Sequence, residues 1–226
     1  SGIATGYISL SIYEGIPHIE DEIAYIWEAK AIAGGHFILE SPPCPECFQV
    51  PFVIDYRGNR FGKYPLGWPV LLSFGVRFGI RNWIPPILSV LIIWFVYRLS
   101  RKLTAPGPSI ITVILVATSP FYLMNVSSLL AHGWCLLLTV IFIIGWFDTF
   151  HPTNKIPVQL STCVSGLSLG VLALTRPMTA LGVGLPFMIH GLFTLIRGPA
   201  KKRRGVFWIG ILSISIASLH FLWRYA

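Results

Sequence analysis

Long apolar runs alternate with short polar links along most of the chain. Six runs stand out: "NWIPPILSVLIIWFVY" (82–97), "SIITVILVATSPFYLM" (109–124), "LAHGWCLLLTVIFIIGWF" (130–147), "VQLSTCVSGLSLGVLAL" (158–174), "MTALGVGLPFMIHGLFTLI" (178–196) and "VFWIGILSISIASLHFLW" (206–223). A helix needs about 20 mostly apolar residues to cross hydrocarbon, and a helix satisfies every backbone polar group without water. The pattern therefore predicts an all-α polytopic membrane protein with about six transmembrane helices. A seventh run, "YPLGWPVLLSFGVRFG" (64–79), is too short to cross comfortably. Trp68 and the Tyr64-Pro65 start suit a helix lying in the membrane interface. If this run did span, residues 1–63 would change sides.

The polar links set an orientation. "KKRR" at 201–204 is the strongest basic cluster and belongs on the cytoplasmic side. Counting spans outward from it puts "RLSRK" (98–102) and Lys155 on that side as well. Residues 1–81, the link from Asn125 to Leu129, Arg176-Pro177 and Arg224 then face the opposite side. The expected division is a non-cytoplasmic first loop with juxtamembrane helices over 1–81 and a transmembrane bundle over 82–226.

Composition agrees with this reading. The 226 residues are 54% hydrophobic and 12% charged, about half the usual charged share of soluble domains, and mean hydropathy is +0.70. Seventeen Lys plus Arg against nine Asp plus Glu give +8. The basic residues sit between apolar runs and form no nucleic-acid motif, so no nucleic-acid partner is expected. The first residues, "SGIATGYISLSIYEG", lack the basic start and apolar core of a signal peptide. The chain is expected to be a piece of a longer membrane protein. Cys135 and Cys163 fall in apolar runs as small packing residues. Cys44 and Cys47 form "CPEC" in a polar, Pro-rich stretch, open to three readings: a local disulfide, half of a zinc site, or two free thiols. No second CxxC or HxxxH accompanies it, which favours the disulfide if the loop is outside the cytoplasm.

The candidate chemistry begins at "IEDEIAYIWEAKAIAGGHF" (19–37). Glu20, Asp21 and Glu22, a third of the acids in the chain, stand side by side there. A helix is predicted over 22–33, with Ile23, Ile26, Trp27 and Lys30 along one side and Gly34-Gly35 as its stop. Asp21 could simply cap it while its neighbours answer the helix dipole. Lys63, His132 and Arg176 fall on the same membrane side, where each alone could serve as a headgroup anchor. Taken together, a carboxylate and several cations at an outer membrane face suit group transfer from a lipid-linked phosphate. The carboxylate takes the acceptor's proton, and the cations stabilise the departing phosphate.

At these residues the sequence resembles the GT-C type membrane glycosyltransferases, and within them the bacterial protein-mannosyltransferase and aminoarabinose-transferase group. The resemblance rests on "HIEDEIAYIWEAKAIAGGHF", "GNRFGKYPLGWPVLLSFGVRFG", "ATSPFYLMNVSSLLAHGW" and "LALTRPMTALGVGLPF", in the family's order across most of residues 17–190. It implies Asp21 as the catalytic carboxylate, Glu22 as its supporting neighbour, and Lys63 near the donor phosphate. Arg176 is assigned to the same phosphate, with His132 and Arg224 as candidate site contacts. The family has a spanning helix before the acid loop and more spans beyond the last residue here. Gly62 stands where some relatives carry a metal-binding Glu, and Leu66 replaces a second Pro, so a divalent cation stays open and no cofactor is assigned.

The resulting expectation is a polyprenyl-phosphate-sugar-dependent glycosyltransferase in the cytoplasmic (inner) membrane, active on its outer face. Its acceptor would be a protein, a lipid or a glycan. A flippase for lipid-linked sugars would instead need ionisable groups near mid-bilayer, and the six runs carry few beyond His132, His190 and His220. A non-catalytic membrane subunit is the third reading.

Overall fold

The computed structural model describes residues 1–151 and 157–225, without the side chains of 221–225. Lys155 and the side chain of Arg224 therefore lie outside the described residues. The chain forms ten helices and one small sheet, and it divides into two compact units. The first holds Ser1–Trp94 and Ile110–Trp134, the second Phe95–Ser109 and Cys135–Ala226.

In the first unit, α1 (Gly2–Tyr7) runs on as a π-helical turn, Ile8–Ile12. The acidic stretch then opens α2 (Glu20–Ala33), which ends at Gly34 and at Gly35, whose φ is +89°. Only a glycine takes that backbone conformation without strain. Next come three short strands, β1 (Leu39–Glu40), β2 (Val53–Tyr56) and β3 (Asn59–Gly62), in the order β1-β3-β2, all antiparallel. Tyr56 pairs with Asn59 across a two-residue turn in which Arg57 and Gly58 have φ of 52° and 79°. Two left-handed residues in succession match the twist of a hairpin. This sheet was not anticipated from the sequence, because its strands are too short to show alternation.

The short seventh run forms α3 (Gly67–Arg77), 11 residues long. It packs on α2, but not as an interfacial helix anchored by its tryptophan. Trp68 is 1% exposed and donates its Nε1–H to the Leu129 carbonyl at 2.8 Å. Its indole is a core residue with a satisfied donor, which corrects the expected interface position. The inward face of α2 also differs from the expected one. Glu22, Tyr25, Ile26 and Ala29 are buried, while Ile23 and Lys30 are exposed.

Four helices are long and apolar enough to cross a membrane: Arg81–Leu103, His132–Phe150, Val158–Thr175 and Pro177–Arg197. They contain or coincide with α4 (Ile84–Leu103), α7 (His132–Phe150), α8 (Val158–Thr175) and α9 (Pro177–Arg197). The expected span at 109–124 is broken into α5 (Pro106–Thr118) and α6 (Pro120–Ser127), bent by 59°. Pro120 supplies no amide hydrogen to continue the ladder, and Ser119 caps α6 by accepting from the Tyr122 amide at 3.4 Å. Counted as one span, this pair makes five. The remaining expected span lies in α10 (Ala200–Tyr225), runs into residues whose side chains are not described, and is not among the four or five. Exposed Leu181, Leu185, Met188, Ile189, Leu192 and Phe193 on α9 present apolar surface of the kind that lipid covers.

In the second unit α8 meets α10 at glycines. A β-carbon on Gly166 would lie 2.8 Å from Leu212 Cβ, and one on Gly170 2.8 Å from Ile216 Cβ. Small residues four apart let two backbones approach closely, and Ser213 Oγ donates to the Gly166 carbonyl at 3.0 Å. Phe142, Trp146, Phe150 and Ile209 form the core beside them. His190 packs edge-on against Trp146 and Phe150. Asp148, 3% exposed inside α7, is paired with Lys102 at the end of α4, an ion pair unnoticed in the sequence.

Candidate functional site

Helix α2 places the three acids in its first turn, but none of them caps it. The N-cap is Ile19, which makes no side-chain cap bond. Asp21 has another partner: Tyr64 Oη donates to Asp21 Oδ1 at 2.5 Å. A hydroxyl bonded to a carboxylate is among the stronger neutral-to-charged contacts. Tyr64 is itself held between rings, 4.6 Å from Tyr25 and 5.7 Å from Phe52, centroid to centroid. Asp21 is half-buried, fixed on one oxygen and still within reach of solvent.

Lys63 immediately precedes this tyrosine. Its amide donates to the Phe52 carbonyl at 2.9 Å. Its ammonium lies 4.6 Å from the Phe52 ring centroid and 5.8 Å from that of Tyr64, a cation–π arrangement on an exposed side chain. The acid loop and the "KYP" segment, about forty residues apart in sequence, thus meet through Tyr64.

Glu22 is buried at 3% exposure. Its Oε2 accepts from the His18 amide and its Oε1 from the Leu129 amide, both at 2.7 Å. Together with Trp68, which holds the Leu129 carbonyl, it secures both backbone groups of that residue. His132 opens α7 three residues later and is exposed. Glu22 therefore positions the loop leading to His132. Asp21, Glu22, Lys63 and His132 all belong to the first unit. Arg176 belongs to the second, as the exposed, extended residue between α8 and α9 (φ −144°, ψ 91°).

One residue went unnoticed. Glu28, two turns after Asp21, is 4% exposed, and neither carboxyl oxygen has a hydrogen-bond partner among the described residues. A β-carbon at Gly62 would overlap its carboxyl carbon, so the glycine before Lys63 makes the room that Glu28 fills. Burial pushes this carboxyl up from its ordinary 4.5 to about 8, so it is neutral at physiological pH. In sequence it reads as one polar position in "YIWEAK", indistinguishable from a surface glutamate.

Cys44 and Cys47 are joined by a disulfide, as favoured from the spacing; Cys135 is buried and Cys163 exposed, both free. No group of three or more His, Cys, Asp or Glu that could hold a metal occurs among the described residues. Comparison of the chain with protein-family models, curated proteins and solved structures finds no match.

Proposed function

We propose that the protein is a glycosyltransferase that moves a sugar from a polyprenyl-phosphate carrier to an acceptor hydroxyl or amine at the non-cytoplasmic face of the cytoplasmic membrane. The observation that carries this reading is the pairing of Asp21 with Tyr64 beside Lys63. It supplies a fixed carboxylate with a free cation one residue from its anchor. In the reaction, Asp21 takes the proton of the acceptor as the acceptor oxygen or nitrogen bonds the anomeric carbon. The bond from that carbon to the carrier's phosphate breaks, and its electron pair leaves with the phosphate. Lys63, with Arg176 from the second unit, takes up the growing charge. Glu22 holds the loop that presents His132.

The wider proposal includes six spans, with Arg81–Leu103 returning the chain to the cytoplasm and α10 forming the last crossing. The partners are the bilayer, the lipid-linked donor and an acceptor from the cell envelope. The test is transfer of a radiolabelled sugar from the lipid carrier by full-length protein and its Asp21→Asn variant. Loss of at least a hundredfold in rate is expected, and unchanged transfer refutes the catalytic assignment.

A further inference from the structure

The "CPEC" loop has no part in the transfer chemistry, yet it forms a wall of a polar pocket beside the acid-bearing helix. The pocket has a volume of about 570 Å³ and is lined in part by Glu20, Pro45, Glu46, Phe52, Asp55 and Arg60, within the size range of small-ligand sites. Pro45 and Glu46 come from the turn closed by the Cys44–Cys47 disulfide. Asp55 and Arg60 are cross-strand partners on β2 and β3. Glu20 directly precedes Asp21.

The charges in this pocket are unequal. Asp55 is paired with Arg60 at 3.5 Å and accepts from Ser41 Oγ at 2.8 Å, so those two side chains largely neutralise each other. Glu20 and Glu46 form no ion pair among the described residues, and both are exposed. Two uncompensated carboxylates on a chain of net charge +8 are not explained by the general field of the protein, which would attract anions. The independent sign of an occupant is Arg60. It is 8% exposed, its terminal nitrogen is bonded to the Phe48 carbonyl, and its Nε–H has no hydrogen-bond partner. A buried donor without a partner costs about 1–3 kcal/mol, which a ligand oxygen here would recover.

We infer that this pocket binds the acceptor, and that the acceptor is a polypeptide segment carrying a basic side chain. The basic group lies between Glu20 and Glu46, and a backbone carbonyl accepts from Arg60 Nε. The disulfide fixes Glu46 at the rim. Adjacency of Glu20 to Asp21 delivers the acceptor to the base. This inference rests on the transferase reading for its purpose, but not for the binding itself.

The probe is a fluorescent tetralysine peptide, titrated at low salt into the full-length protein in detergent, with its fully side-chain-acetylated form as the neutral control. Tetralysine is expected to bind and the acetylated peptide to bind at least tenfold more weakly. The exposed pair Glu20→Gln/Glu46→Gln, chosen because neither side chain supports the fold, should weaken tetralysine binding about tenfold, close to 1.4 kcal/mol. Cys44→Ser/Cys47→Ser should weaken it severalfold. Equal binding of the two peptides, or indifference to the double glutamine variant, overturns the inference. Asp21→Asn should leave peptide binding within about twofold. If transfer survives Asp21→Asn while tetralysine still needs Glu20 and Glu46, the transferase reading falls and the pocket stands. If Asp21→Asn abolishes transfer and tetralysine ignores the double variant, the pocket falls alone.

Discussion

Replacing Glu28 by Gln tests the electrostatics of the site's foundation. The carboxyl is neutral in the folded protein up to about pH 8 but ionises near 4.5 once the chain unfolds. Its folded-state affinity for protons is the higher one, so between those two values the unfolded state binds fewer protons. The slope of stability against pH is then negative. Glu28 costs nothing below about 4.5, costs progressively more as pH rises, and reaches its full cost above 8. Roughly 3.5 pH units at about 1.4 kcal/mol each give about 5 kcal/mol as the upper bound on this loss. Glutamine keeps the shape and does not titrate, although its buried amide carries its own cost of about 1–3 kcal/mol at every pH. The two proteins should therefore cross, the wild type being more stable at pH 5 and the variant at pH 8.5. Midpoints of denaturant-induced unfolding in mixed micelles, measured every half unit from pH 5 to 9, report the difference directly. Parallel curves for the two proteins across pH 5–8 would refute the claim that Glu28 is buried as a neutral acid.

Three further outcomes follow from other contacts. Tyr64→Phe keeps the ring stacking with Tyr25 and Phe52 but removes the hydroxyl from Asp21; transfer should slow about tenfold, since hydrogen bonds to charged groups are worth about 1.5–3 kcal/mol, with unfolding midpoints nearly unchanged. Glu22→Gln forces an amide donor against either the His18 or the Leu129 amide; a stability loss of about 1–3 kcal/mol, seen as a lower denaturant midpoint, should accompany any loss of activity. Gly170→Val drives a side chain into the Ser213 carbonyl and Ile216 of α10; overpacking of about 1–3 kcal/mol or more should appear as earlier unfolding in SDS titration.

Much of this architecture was legible in the chain because membrane spans are written in composition. The α7, α8 and α9 segments matched their apolar runs to within a few residues, and Gly34-Gly35 marked the end of α2. The break at Ser119-Pro120 was harder, since an apolar run conceals a bend that costs it no hydropathy. The hairpin eluded sequence reading for a different reason: its turn is Arg57-Gly58, without the Asn-Gly or Asp-Gly signature, and its strands are four residues each. Asp21, Lys63 and the disulfide could be picked out from residue type and neighbours alone. Tyr64 as the link between them could not, because a tyrosine at the head of an apolar helix looks like an interfacial anchor. Glu28 and Trp68 show the same limit. Burial depends on what the chain brings against a residue, and no local pattern reports it.

The bond from Glu22 to Leu129 spans 107 residues of sequence. At ribosomal speeds of about 5–20 residues per second, the acidic segment waits on the order of 5 to 20 seconds after its own synthesis before the partner amide exists. Through that interval the nascent chain has a carboxylate already delivered across the bilayer with nothing to hold it in register. Quality control acting on half-made protein would therefore meet a catalytic segment that is present but unassembled, and premature termination anywhere before Leu129 yields a product that cannot set its own active loop.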